Sequence, residues 1–118
     1  MYNIGTDIVE IDRIRYLIDR YGLKFISKIF SKNEITYCLD KKDPSIHFAG
    51  RFSAKEAIKK AISKSYKDNF FPLNQLSIQN DKNGRPFLSN DFLDSKSIDI
   101  SISHTTSHAV SFAILKVK

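Results

Sequence analysis

Glu56 and Lys60 stand four residues apart in the stretch Phe48-Ala49-Gly50-Arg51-Phe52-Ser53-Ala54-Lys55-Glu56-Ala57-Ile58-Lys59-Lys60-Ala61. On a helix that spacing sets a carboxylate and an ammonium one turn apart on the same face. Such pairs are ordinarily solvated surface contacts worth about 0.2–0.5 kcal/mol. This one follows Arg51 and Phe52 in a helix of small residues, which raises the question of whether the carboxylate has chemistry to do. A second acid, Asp7, interrupts the apolar run around Ile4, Ile8 and Val9. By itself it reads as an exposed edge or turn residue, a functional carboxylate being the rarer case. His104 read alone is a turn histidine.

The elements that must position these residues are read from periodicity. Residues 48–61 predict a helix because Ala, Lys, Glu and Ile dominate and no proline intervenes. Ala49, Phe52, Ile58, Ala61 and Ile62 make one apolar side, Pro44 suits the first helical position, and the helix should run to about Ser65. Tyr2 to Val9 reads as a strand. Ile11, Ile14, Leu17, Ile18 and Tyr21 follow one amphipathic helical face that Gly22 should end. Arg13 and Arg20 lie opposite, forming a basic stripe that Lys24 would extend if the helix survived Gly22. Ser31-Lys32-Asn33-Glu34 is a capping box opening a further helix through Leu39.

Beyond the long helix, Tyr66 to Asn74 reads as a loop that Phe70 and Phe71 pack down. Leu76 and Ile78 precede a hairpin-type turn, Asp81 to Pro86, after which Phe87 and Leu88 resume a strand. Ile98 to Ser103 alternates strictly, His104 to Ser107 forms a turn, and Ala109 to Val117 is a final apolar strand. The sum is a single α+β domain over residues 1–118, helices early and an antiparallel sheet late.

Composition narrows the classes. The 118 residues suit one modest core, and 42% hydrophobic content is globular rather than disordered. The lone Cys38 rules out an intrachain disulfide and a cysteine metal cluster. No apolar run approaches a membrane span of about 18 residues, and the first residues do not read as a secretory leader, so a cytoplasmic protein is expected. A net charge of +6 admits nucleic acid, anionic membrane, phosphorylated ligands or an acidic protein as partner.

Three segments together resemble the 4′-phosphopantetheinyl transferase superfamily, most closely its small carrier-protein synthases. They are Ile4-Gly5-Thr6-Asp7-Ile8-Val9-Glu10-Ile11-Asp12-Arg13-Ile14, the stretch Phe48–Ala61, and Ser101-Ile102-Ser103-His104-Thr105 with its apolar strand. The Asn83-Gly84-Arg85-Pro86 turn falls between the last two, and the likeness covers nearly the whole chain. No single motif is specific; three in register are.

The resemblance implies transfer of 4′-phosphopantetheine from coenzyme A to a serine of apo acyl carrier protein, leaving adenosine 3′,5′-bisphosphate, in the service of fatty-acid synthesis. It implies Mg2+, with Mn2+ as substitute, held by Asp7 and Glu56, since Mg2+ favours one or two carboxylates plus phosphates. Lys60 would meet the pyrophosphate, and the base would be Glu56 or a metal-bound water. Arg51, His104 and Thr105 would approach the nucleotide's 3′-phosphate. Arg13, Arg20 and Lys24 would dock the acidic carrier. A homotrimer holding coenzyme A between subunits is the implied assembly. His47 and His108 find no role in the likeness and read as structural.

One departure concerns the loop after the long helix. Many relatives carry a glycine-containing loop there, whereas 63–70 has none, and Lys64 is the one residue offered in place of backbone donors. Two other classes compete: a basic nucleic-acid-binding α+β module and a purely structural oligomer subunit. Against the first, the aromatics interleave as core positions and no stacking signature appears. The second leaves Asp7 and Glu56 without work.

Overall fold

The computed structural model describes residues 1–63, 72–91 and 97–117. The Phe70–Phe71 packing and the Lys64 substitution read from the sequence lie outside the described residues, as does most of the glycine-free stretch.

β1 (Tyr2–Glu10) leads into α1 (Ile11–Tyr21), α2 (Leu23–Ile29), α3 (Lys32–Leu39) and the long α4 (Pro44–Ile62). A short 3-10 turn, Leu73–Gln75, precedes β2 (Ser77–Asn80), β3 (Pro86–Ser89), β4 (Ile98–His104) and β5 (His108–Lys116). The strands form two antiparallel sheets, one ordered β1-β5-β4 and one the β2-β3 hairpin. The main sheet is therefore not confined to the C-terminal half: the first strand pairs with the last, Asp7 facing Ser111 and Glu10 facing His108.

Local chemistry explains the helix boundaries. Gly22 adopts φ 55, a left-handed value open to glycine, and ends α1 while serving as N-cap to α2. Ser31 and Glu34 make both arms of the capping box on α3. Pro44 is at the start of α4, whose C-cap is Ser63. The α2 helix was not apparent in the sequence pattern, because its seven residues span barely two turns.

α4 lies across the inner face of β1 and β5. Gly5 is what lets it approach so closely: a Cβ there would stand 1.9 Å from the Ala57 carbonyl oxygen. Ala54, Ala57, Ile58 and Ala61 of the helix then pack with Ile98, Ala113 and Leu115. A second cluster joins Ile11, Ile14, Ile26, Phe30 and Phe48.

Between the two clusters runs a buried ion pair, Lys55 with Glu34, both side chains fully excluded from solvent. The Lys55 ammonium also donates to the carbonyls of Ile29 (2.6 Å) and Leu73 (2.8 Å). Glu34 accepts from the backbone amides of Ser31 and Ile78, both at 2.9 Å. Burial lowers the Lys55 pKa while Glu34 opposes that effect. The pair ties α2, α3, α4, the 3-10 turn and β2 together, and α4 is thereby held in register for the site.

Candidate active site

Asp7 reaches the site because β1 alternates. Gly5, Asp7 and Val9 face α4, while Ile4, Ile8 and Glu10 face the other way. Glu56 and Lys60 present the corresponding turn of α4. Lys60 donates to Asp7 Oδ1 at 3.1 Å and to the Thr6 carbonyl at 2.9 Å. It pairs with Asp7 rather than with Glu56, its neighbour one turn away, because β1 comes close at Gly5 and brings the second acid within reach.

Asp7 and Glu56 line one cleft of about 420 Å³ together with Glu10, Arg13, Phe52 and His108. Among the described residues no three His, Cys, Asp or Glu side chains are grouped to hold a metal. Two carboxylates in an open cleft do not make the closed four-ligand cage of structural zinc. They fit Mg2+, which keeps waters and takes its remaining ligands from substrate phosphates.

The other predicted phosphate contacts lie elsewhere on the chain. Arg51 is buried; it donates to Asn80 Oδ1 at 2.6 Å and stacks 4.0 Å from the Tyr37 ring centroid. Its Nε is buried without a hydrogen-bond partner. Arg51 opens on a recess of about 230 Å³ shared with Asn33, Tyr37, Gln79 and Asn80. Five residues separate Arg51 from Glu56, an offset of ~140° around a helix of 3.6 residues per turn, so one cleft cannot take both.

His104 ends β4 on the far edge of the sheet, two strands from β1. It is exposed, with Nδ1 3.1 Å from the Thr105 carbonyl. The Thr105 hydroxyl accepts from the backbone amides of Ser107 (3.2 Å) and His108 (3.1 Å), closing the hairpin. Around Tyr37 a cationic group assembles that the sequence did not announce: Lys41 sits 4.3 Å above the ring and His47 meets its edge at 5.9 Å. Burial lowers the His47 pKa, and Arg51, Lys41 and His104 push it the same way.

Among the docking candidates, Arg13 is exposed at the rim of the Asp7–Glu56 cleft. Arg20 and Lys24 are exposed as well, on α1 and α2 respectively. Tyr21, expected on the buried face of α1, is half exposed instead. With Leu17, Lys24, Phe25 and Lys28 it lines an apolar groove flanked by lysines. His108, read from the sequence as structural, lines the acidic cleft; only its pairing with Glu10 across β1 and β5 puts it there.

The sequence profile of the 4′-phosphopantetheinyl transferase superfamily matches residues 3–113. The chain is 42% identical over 116 residues to a holo-[acyl-carrier-protein] synthase of Protochlamydia amoebophila, covering 94% of each. Its fold is similar to the holo-(acyl-carrier-protein) synthase of Bacillus anthracis, solved in complex with CoA (3′,5′-ADP): TM-score 0.80, 29% identity, 98% and 96% of the two chains covered. The synthase of Helicobacter pylori, in complex with coenzyme A, gives TM-score 0.77 at 28% identity over 96% and 99% of the chains.

Proposed function

The chain belongs to the 4′-phosphopantetheinyl transferase superfamily and transfers 4′-phosphopantetheine from coenzyme A to a serine of apo acyl carrier protein; we propose that Asp7, Glu56 and Lys60 carry that chemistry. The observation behind this assignment is that Asp7 and Glu56 line one cleft from two elements, with Lys60 bonded to Asp7. The serine hydroxyl attacks the phosphorus bearing the pantetheine arm. A new P–O bond forms, the bridging P–O bond to the nucleotide breaks, and adenosine 3′,5′-bisphosphate departs. Glu56 takes the hydroxyl proton, and Lys60 donates to the pyrophosphate oxygens as charge collects on the leaving group. Asp7 and Glu56 would hold Mg2+, with Mn2+ as a substitute, and such an ion would supply neutralisation of pyrophosphate charge.

Arg51 and His104 form the 3′-phosphate end of the donor site in this reading, and Thr105 shapes the turn beside it. The Arg51 guanidinium, a cation lining its own recess, supports an anionic ligand at that end. The two ends lie apart within one chain, which favours a homotrimer with coenzyme A bridging neighbouring subunits. The carrier docks on α1 and α2, where Lys24 lines the Leu17–Tyr21–Phe25 groove, Arg20 lies 5.6 Å from the Tyr21 ring centroid and Arg13 stands at the rim of the Asp7–Glu56 cleft. Acidic carriers and basic rims attract at a distance and align the serine with the cleft. A cytoplasmic location accompanies this reading; among the described residues no helix is long and apolar enough to cross a membrane.

Intact-mass analysis of apo carrier protein incubated with coenzyme A and Mg2+ tests the assignment. The wild-type chain adds one phosphopantetheine, and Glu56→Gln adds none while keeping the wild-type circular dichroism. Full transfer by Glu56→Gln would remove Glu56 from the chemistry.

A further inference from the structure

Lys60 already sits on one oxygen of the Asp7 carboxylate that a divalent ion would need. Its ammonium is 3.1 Å from Asp7 Oδ1 and is fixed a second time by the Thr6 carbonyl at 2.9 Å. Mg2+ would approach carboxylate oxygens to about 2.0–2.1 Å. An ion and an ammonium on one carboxylate repel each other, and neither is fully screened beside a side chain as enclosed as Asp7, which is 18% exposed. Lys60 is 54% exposed, so the lysine is the partner with room to swing.

We infer that Lys60 is a resident cation of the site, competing with the divalent ion for Asp7 until the donor's pyrophosphate draws the ammonium away. This rests on Asp7 and Glu56 being the metal carboxylates, as read above. It makes donor and metal binding mutually reinforcing: whichever relieves the Lys60–Asp7 contact favours the other, by the reciprocity of linked equilibria. It also gives Lys60 two successive partners, Asp7 and then the pyrophosphate, and the swing between them times the metal's tight binding to the donor's arrival.

Mn2+ binding to the full chain, followed by calorimetry and by the spin-resonance signal of the free ion, measures the competition without any turnover. Lys60→Met should bind Mn2+ about five-fold more tightly, the ratio corresponding to loss of a partly exposed ion pair. Lys60→Arg, which keeps the charge, should stay near wild type. Lys59→Met removes an exposed charge one residue away and should leave affinity unchanged. Unchanged or weaker binding by Lys60→Met overturns the inference, as does equal tightening by Lys59→Met, which would mean a general field effect. Coenzyme A added without metal should shift the Lys60 side-chain resonances in a nuclear magnetic resonance spectrum, and an unmoved signal overturns the donor's part in the exchange. If Asp7→Asn binds Mn2+ as well as wild type does, the metal assignment itself has failed, a separate result from a failed competition.

Discussion

His47 illustrates what environment adds to residue type. Its pKa falls below the ordinary 6.5 through burial first, then through Arg51, Lys41 and His104, with Asp43 opposing. The unfolded chain therefore takes up a proton near pH 6.5, while the folded chain takes it up only at lower pH. Stability is full above that window and is lost as the pH drops through 6.5 toward the folded value. Thermal melts of wild type and His47→Gln at about pH 7.5 and 5.5 should show the wild type losing more on acidification, since the variant lacks the group that charges. Equal losses would place the acid sensitivity elsewhere. At this scale helical spacing set Glu56 and Lys60 on one face, whereas Asp7, by itself an edge or turn acid, joined them only through the resemblance. His108 was silent, since its place at the cleft depends on which residue of β1 it faces. Arg51 was legible in part: its type suited a phosphate, but the five-residue step from Glu56 already separated the two around the helix.

The contact between β1 and α4 makes the site, and it depends on a missing side chain. Gly5→Ala would place a methyl 1.9 Å from the Ala57 carbonyl oxygen and 2.9 Å from the Ala61 amide, both of them backbone. Backbone cannot yield as a side-chain tip does, so either the strand moves off the helix or the chain unfolds. A loss of about 3 kcal/mol is expected, at the upper end of overpacking costs, and urea denaturation measures it. Surviving folded protein should also transfer poorly, because displacing β1 takes Asp7 away from Glu56 and Lys60. A stable, fully active Gly5→Ala variant would show that the approach is looser than the geometry says. Sequence periodicity located α1, α3, α4 and all five strands, each carrying an apolar face or a cap of its own. It could not join β1 to β5, a pairing across more than a hundred residues. Nor did it announce the Lys55–Glu34 pair, because two charges on separate helices read as surface until their burial is known.

The molecule as a whole has one face that a solitary chain leaves uncovered. Tyr2, Ile4 and Ile8 of β1 and Val110 and Phe112 of β5 are all exposed large hydrophobics. Register puts them side by side, Ile8 facing Val110 and Thr6 facing Phe112, on the side of the sheet away from α4. A contiguous apolar sheet face of this kind marks an association surface, and closed symmetry is the usual way for identical chains to satisfy it. On the reading proposed above the donor site is divided too, with Glu56 and Lys60 beside β1 and His104 at the end of β4, two strands away. Two results follow if coenzyme A bridges subunits. Light scattering should give three times the 13.6 kDa chain mass for wild type, and Phe112→Glu should reduce it. More decisively, Glu56→Gln and His104→Glu should each transfer poorly alone, yet recover activity when coexpressed in equal amounts. Random assembly leaves about a quarter of the bridging sites with an intact Glu56 from one chain and an intact His104 from its neighbour. Recovery near that fraction requires the two residues to act across a boundary between chains, whereas no recovery would put the whole donor site within a single chain.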